Sequence, residues 1–212
     1  MKRLNYVSTI AILAIIICAA APLFGMTIQD ALNGSDGDTV QVSGVITSPN
    51  FGVPGIISEY TLQDPTAAVV LYSNAFDANL SVGDDVTITG ALATYNGKRE
   101  IIPAIVGDII VNATGVDLPE PQVIMLGDLL MNPESYESEL VRLNDVWITW
   151  GGWPAPGSDA NLSLTDSSGA AFTMRIDKET NLDESSPPSG VFDLVGVIGQ
   201  FDTEEPYNEG YQ

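Results

Sequence analysis

The chain has 212 residues, 45% hydrophobic and 17% charged, the balance of a folded chain rather than a disordered one. Seven Lys and Arg stand against 28 Asp and Glu, a formal charge of −21, with no histidine and one cysteine. These counts exclude histidine-dependent catalysis and His-held metals. Because Cys18 falls in the N-terminal leader, they also leave the remainder without a thiol nucleophile, a disulfide or a Cys-held metal centre.

The first element in chain order is that leader. Lys2 and Arg3 precede an apolar run from Tyr6 to Phe24, with small residues Ala19, Ala20, Ala21 and Gly25 near its end. This is the pattern of an export signal over residues 1–25, cleaved after Gly25. Retention as an anchor and lipidation at Cys18 rank second and third, and all three outcomes put the rest of the chain in a secreted or periplasmic location. Without the leader, five basic residues remain beside the 28 acids, a charge of −23. Such a field repels polyanions and anionic membranes, so no membrane contact is expected of the mature chain.

Strand signals dominate the rest of the chain. Thr39–Thr47 alternates apolar and polar residues, with Gly44 as a break. Glu59–Gln63 and Ala68–Tyr72 flank the turn Asp64-Pro65-Thr66. Val86–Leu92 comes after the turn at Val82–Asp85, and Asn96-Gly97 turns into Arg99–Ile102. Thr27–Leu32 reads as a short helical entry. The second half repeats this order. Leu140–Thr149 parallels residues 39–47, the turn at Asp166 parallels that at Asp64, and Phe192–Ile198 parallels Val86–Leu92. The offset is 102 at two landmarks and 106 at the third. Ile124–Met131 and Pro133–Glu137 read as two helical turns entering the second copy. In that copy Glu209-Gly210-Tyr211-Gln212 only begins the last strand.

The expected fold is all-β: two tandem five-stranded OB-fold barrels, the second truncated in its last strand. The expected domains are 26–113 and 124–212, joined by a linker at 114–123 that holds Gly115, Pro119 and Pro121. A barrel lacking its last strand is expected to gape between its first and fourth strands.

The phrases Val42–Thr47, Tyr60–Asp64 and Val82–Gly90, with Tyr136–Leu143 and Gly210–Gln212, resemble the tandem OB-fold modules of secreted bacterial proteins that accompany extracellular nucleases and lamin-tail-like domains. The resemblance covers nearly the whole chain after the leader. It rests on strand and turn patterns, so it implies a nucleic-acid-binding type of fold and no catalytic centre, since nuclease chemistry in such proteins lies in a separate domain.

OB-folds bind ligands across strands two and three, between the first and fourth loops. In the first half that selects Phe51, Tyr60, Tyr72 and Tyr95 for stacking, with Lys98 and Arg99 for phosphate. Tyr60 and Tyr72 also read as ordinary strand formers. In the second half Trp147 and Trp153 are the candidate aromatics and Arg175 and Lys178 the candidate cations, while alternation puts Trp150 with Val146 and Ile148 on the inner face, plugging the barrel mouth.

No cofactor or metal is expected. Asn33–Asp38 resembles a calcium loop only loosely, and the acids otherwise sit in turns. The reading is a non-catalytic module whose partner is single-stranded nucleic acid, bound weakly because five cations cannot make many phosphate contacts. The alternatives are an extracellular protein- or glycan-binding accessory module and, last, a carboxylate-only metal-dependent phosphoesterase.

Overall fold

A computed structural model describes residues 25–212; the expected export signal lies almost wholly outside the described residues. No helix among the described residues is long and apolar enough to cross a membrane.

The chain opens with α1 (Ile28–Leu32), whose first turn is capped by the Thr27 hydroxyl accepting the Asp30 N–H at 3.1 Å. Five strands come next: β1 (Thr39–Ile46), β2 (Ser58–Gln63), β3 (Ala68–Ser73), β4 (Asp85–Tyr95) and β5 (Lys98–Ile102). They are ordered β1-β2-β3-β5-β4, and β4 pairs back onto β1 over Thr39–Val45, so the sheet closes on itself. β5 runs parallel to β3 and antiparallel to β4. This is the OB connectivity. A further strand, β6 (Ile109–Ala113), lies along the first half of β4.

Period-two alternation decides what fills the cylinder. Val40, Val42, Tyr60, Leu62, Val69, Leu71, Val86, Ile88, Leu92 and Ile101 point inward and are buried, and Ile28 and Ala31 of α1 plug one end.

The second half starts with β7 (Gln122–Ile124), α2 (Leu126–Met131) and a 3-10 turn at Pro133–Tyr136. Gln122 and Val123, expected in the linker, already pair with β8 (Leu140–Trp150). β9 (Ala160–Thr165), β10 (Ala171–Ile176) and β11 (Phe192–Val197) complete a sheet ordered β10-β9-β8-β11. A separate core of Ile124, Leu126, Leu129, Val141, Leu143, Val146, Leu164 and Phe172 forms inside it.

The two halves share more than strand order. The turn aspartate between strands two and three holds the entry helix in both. Asp64 accepts the Ile28 N–H at 2.8 Å, and Asp166 accepts the Leu126 N–H at 2.8 Å. Each amide begins its helix and has no partner within it, so the carboxylate satisfies it and favours the helix N-terminus electrostatically.

The gap in the second barrel lies elsewhere than expected. β8 and β11, its first and fourth strands, pair from Phe192↔Val146 to Val197↔Leu140. The open lane runs between β10 and β11, where β5 sits in the first barrel, because the OB order inserts the fifth strand between the third and fourth. Among the described residues only a short bridge enters this lane. Gln200 pairs with Tyr211, and Gly199 and Gln212 exchange hydrogen bonds of 2.8 and 2.9 Å.

Two equivalent glycines report on the difference. A Cβ at Gly90 on β4 would fall 2.7 Å from the Ile102 main chain, whereas one at Gly196 on β11 would meet nothing within 4 Å. We expect Gly90→Ala to destabilise the first barrel by about 1–3 kcal/mol through overpacking and Gly196→Ala to change stability by under about 0.5 kcal/mol. Urea unfolding of the two variants checks this, and equal losses would contradict the open lane.

Candidate ligand faces

The outward positions of β2, β3 and β5 form the ligand face expected of the first barrel: Glu59 and Thr61, Val70 and Tyr72, Lys98 and Glu100. Thr61, Val70 and Glu100 are buried even though they point away from the core. The second half stands opposite this face and is joined to the first by hydrogen bonds. Gln63 Oε1 accepts the Leu140 N–H at 3.0 Å, Glu137 Oε1 accepts the Arg99 N–H at 2.8 Å, and the Asn96 carbonyl accepts the Asp202 N–H at 2.8 Å. The Gln200 side chain, 3% exposed, lies against Gly97, where a Cβ would come within 2.4 Å of its amide oxygen. Between the halves is a cleft of about 1200 Å³, walled by Thr61, Val70 and Lys98 on one side and Phe172, Met174 and Leu194 on the other.

The adjacent cations expected to meet phosphate are committed within the protein. Lys98 Nζ lies 2.5 Å from Glu59 and 3.4 Å from Glu100. Burial works against its ammonium, but the two carboxylates outweigh that and hold its pKa above the ordinary lysine value. Burial also raises the Glu100 carboxyl, against the pull of Lys98. Arg99 pairs with Asp36 and donates to Thr94 Oγ1 at 2.9 Å and to the Gly34 carbonyl at 3.0 Å. Asp36, a member of the loosely calcium-like loop, therefore serves as an arginine partner. Among the described residues no three Asp or Glu side chains converge into a cation-holding group.

Tyr60 leaves the proposed stacking set. It is 1% exposed and faces the core, because β2 alternation puts it on the side of Leu62. Its hydroxyl donates to Asp77 Oδ1 at 2.8 Å and accepts the Leu80 N–H at 3.2 Å, tying the loop after β3 to the barrel. Burial and then the Asp77 bond push the phenol well above the usual tyrosine range. Phe51 lines the cleft, while Tyr72 and Tyr95 lie outside its lining and Tyr95 is exposed at the β4–β5 turn.

In the second half a bulge reverses the expected direction of Trp150. Trp147 pairs with Thr165, Ile148 with Leu164, and Trp150 with Ser163, so Thr149 is the extra residue. Ser163 and Thr165 are two apart on β9 and share its outer side, so Trp147 and Trp150 do too. Trp150 is 74% exposed and does not plug the barrel mouth. The same outer side carries Asn161 on β9, and Thr173 and Arg175 on β10.

Arg175 is partly exposed and pairs with Asp159 at 3.1 Å and Asp177 at 3.4 Å. Lys178 has no ion pair among the described residues; its main-chain N–H donates to Asp159 at 2.9 Å. Trp153 is half-buried, and its indole nitrogen is buried without a partner among the described residues. Trp147 and Ile148 join Pro188, Gly190 and Val191 around a recess of about 480 Å³.

No known family model matches the chain. Over 182 residues it is 29% identical to Endonuclease YhcR of Bacillus subtilis (strain 168), an alignment covering 84% of this chain and 15% of that protein's length. Among solved structures, an OBody bound to hen egg-white lysozyme superposes with a TM-score of 0.32 and 25% identity, covering 38% of this chain and 83% of that one. A replication protein A heterotrimer bound to ssDNA superposes with a TM-score of 0.32 and 11% identity, covering 74% and 41%. Similarity at these scores leaves the assignment of the barrels to their own strand order.

Tyr60→Phe should lower stability by about 1–2 kcal/mol, the cost of removing a buried hydroxyl with two hydrogen-bond partners. Urea unfolding measures it; an unchanged midpoint would mean that the Asp77 contact contributes nothing.

Proposed function

We propose that the chain is a non-catalytic, extracytoplasmic binding module whose outer β8–β9–β10 face takes single-stranded nucleic acid. The observation that carries this reading is the bulge at Thr149, which turns two indoles to the side of the sheet that also carries Arg175, on β10 across β9. Indoles stack on any base, and Arg175 with Lys178 supplies a short cationic margin for phosphate. The similarity to a protein named as an endonuclease supports a nucleic-acid setting, and the basic-then-apolar leader supports export.

Charge sets the strength. Four of the five cations beyond the leader are in ion pairs within an acidic chain. Affinity then rests on stacking rather than on counterion release. An oligo-dT titration at low salt should quench tryptophan fluorescence at micromolar or weaker affinity. Trp150→Ala should weaken it by about 1–3 kcal/mol, and log K should fall with log salt at a slope of only about −1, since roughly two phosphates are met. An unquenched signal at high micromolar oligonucleotide would remove the reading.

A second reading comes from the recess beside Trp147. Its lining of Ile148, Pro188, Gly190 and Val191 suits an apolar peptide side chain or a sugar face. Glycan- and peptide-array signal that disappears in Trp147→Ala, with no oligonucleotide quenching, would favour it over the first.

A further inference from the structure

The two halves meet through a polar contact rather than a shared core. The apolar clusters are separate, one built from α1 and β1–β5, the other from residues 124–198. What joins them is the set of hydrogen bonds at Arg99, Leu140 and Asp202, with Gln200 resting on Gly97. Residues 114–121 between them hold no regular element and include Gly115, Pro119 and Pro121. Domains joined in this way move relative to each other unless a large apolar interface prevents it.

Thr61 and Val70 thus look onto the second half across the cleft, with the joining hydrogen bonds beside it. We propose that the second barrel is a detachable cover over the outer face of β2, β3 and β5, and that the Glu137 side chain, seated on the Arg99 N–H, is its pH-sensitive latch. This inference is independent of the proposed use of the β8–β9–β10 face.

Glu137 comes directly after the 3-10 turn and reaches across to the β4–β5 hairpin. The groups that face it are Lys98 and Arg99 on β5, the latter bound to Asp36, and Glu134, which accepts the Tyr211 hydroxyl. Burial, reinforced by Glu134, raises the Glu137 carboxyl to about 7, against the Arg99 N–H and the two cations. Burial raises the neighbouring Glu139 in the same direction.

Linkage gives the direction of the pH dependence. The covered state holds its proton up to about 7, and an uncovered glutamate releases it near 4.5. Covering is therefore strongest below pH 4.5 and weakens as pH rises to 7, by roughly two orders of magnitude in the equilibrium constant, after which it is flat.

The Arg99 and Leu140 amides report on the contact directly, since each donates across it to a side chain. Amide exchange, corrected for the intrinsic rate at each pH, should be about 100-fold faster at Arg99 and Leu140 at pH 8 than at pH 5. Core amides such as Leu71 should stay protected, and small-angle scattering should show the particle lengthening. Glu137→Gln keeps an acceptor for Arg99 without the titration, and should remain compact and protected at both pH values. Glu137→Lys should be extended already at pH 5, with the circular dichroism of folded barrels. Wild-type protection that does not change with pH, Glu137→Gln opening as the wild type does, or a folded Glu137→Lys that stays compact would each overturn the proposal.

Discussion

Every strand edge presents a row of main-chain donors and acceptors that must find partners, and the two halves of this chain meet that requirement differently. In the first, β5 enters between β3 and β4, and the β4–β1 pairing completes a cylinder with no free edge within it. In the second, β10 and β11 face each other across a lane occupied only near Tyr211. The consequence is visible in the packing. Val69, Leu71 and Ile88 are fully enclosed in the first barrel, while Met174, Phe192 and Leu194 stay partly open in the second. The large cleft is this open lane continued onto the outside of its neighbour.

Electrostatics obeys the same economy of partners. With so many carboxylates, Lys98 and each arginine among the described residues is drawn into an internal ion pair, and the acids that hold the turns do so by accepting main-chain amides. An isolated pair at such a surface adds little stability. Its effect here is on the surface: four of the five cations beyond the leader are paired internally, while Trp150 stays exposed.

Much of the fold was legible in the residues. The hairpin at Asp64, the turn at Asn96-Gly97, the short entry helices and the near-constant offset between halves all depend on local spacing, which sequence records directly. The candidate sites were less legible. Tyr60 and Tyr72 look alike in sequence, yet one residue of difference in register sends the first inward and leaves the second outside. Simple alternation turns Trp150 inward, and the extra residue at Thr149 overturns it. The run Trp150-Gly151-Gly152 is the one local hint that the strand ends irregularly.

By itself the sequence determined the all-β class of fold, the acidic field and the exclusion of histidine chemistry, because these follow from composition and period-two alternation. Only the tertiary structure decided which faces stay open. Lys98 and Arg99 are consumed by Glu59, Glu100 and Asp36, and the outer face of the first barrel stands opposite the second half across a cleft. Those outcomes depend on pairings between residues about 40 to 80 positions apart, whose register and approach are set by how the sheets close rather than by any local pattern.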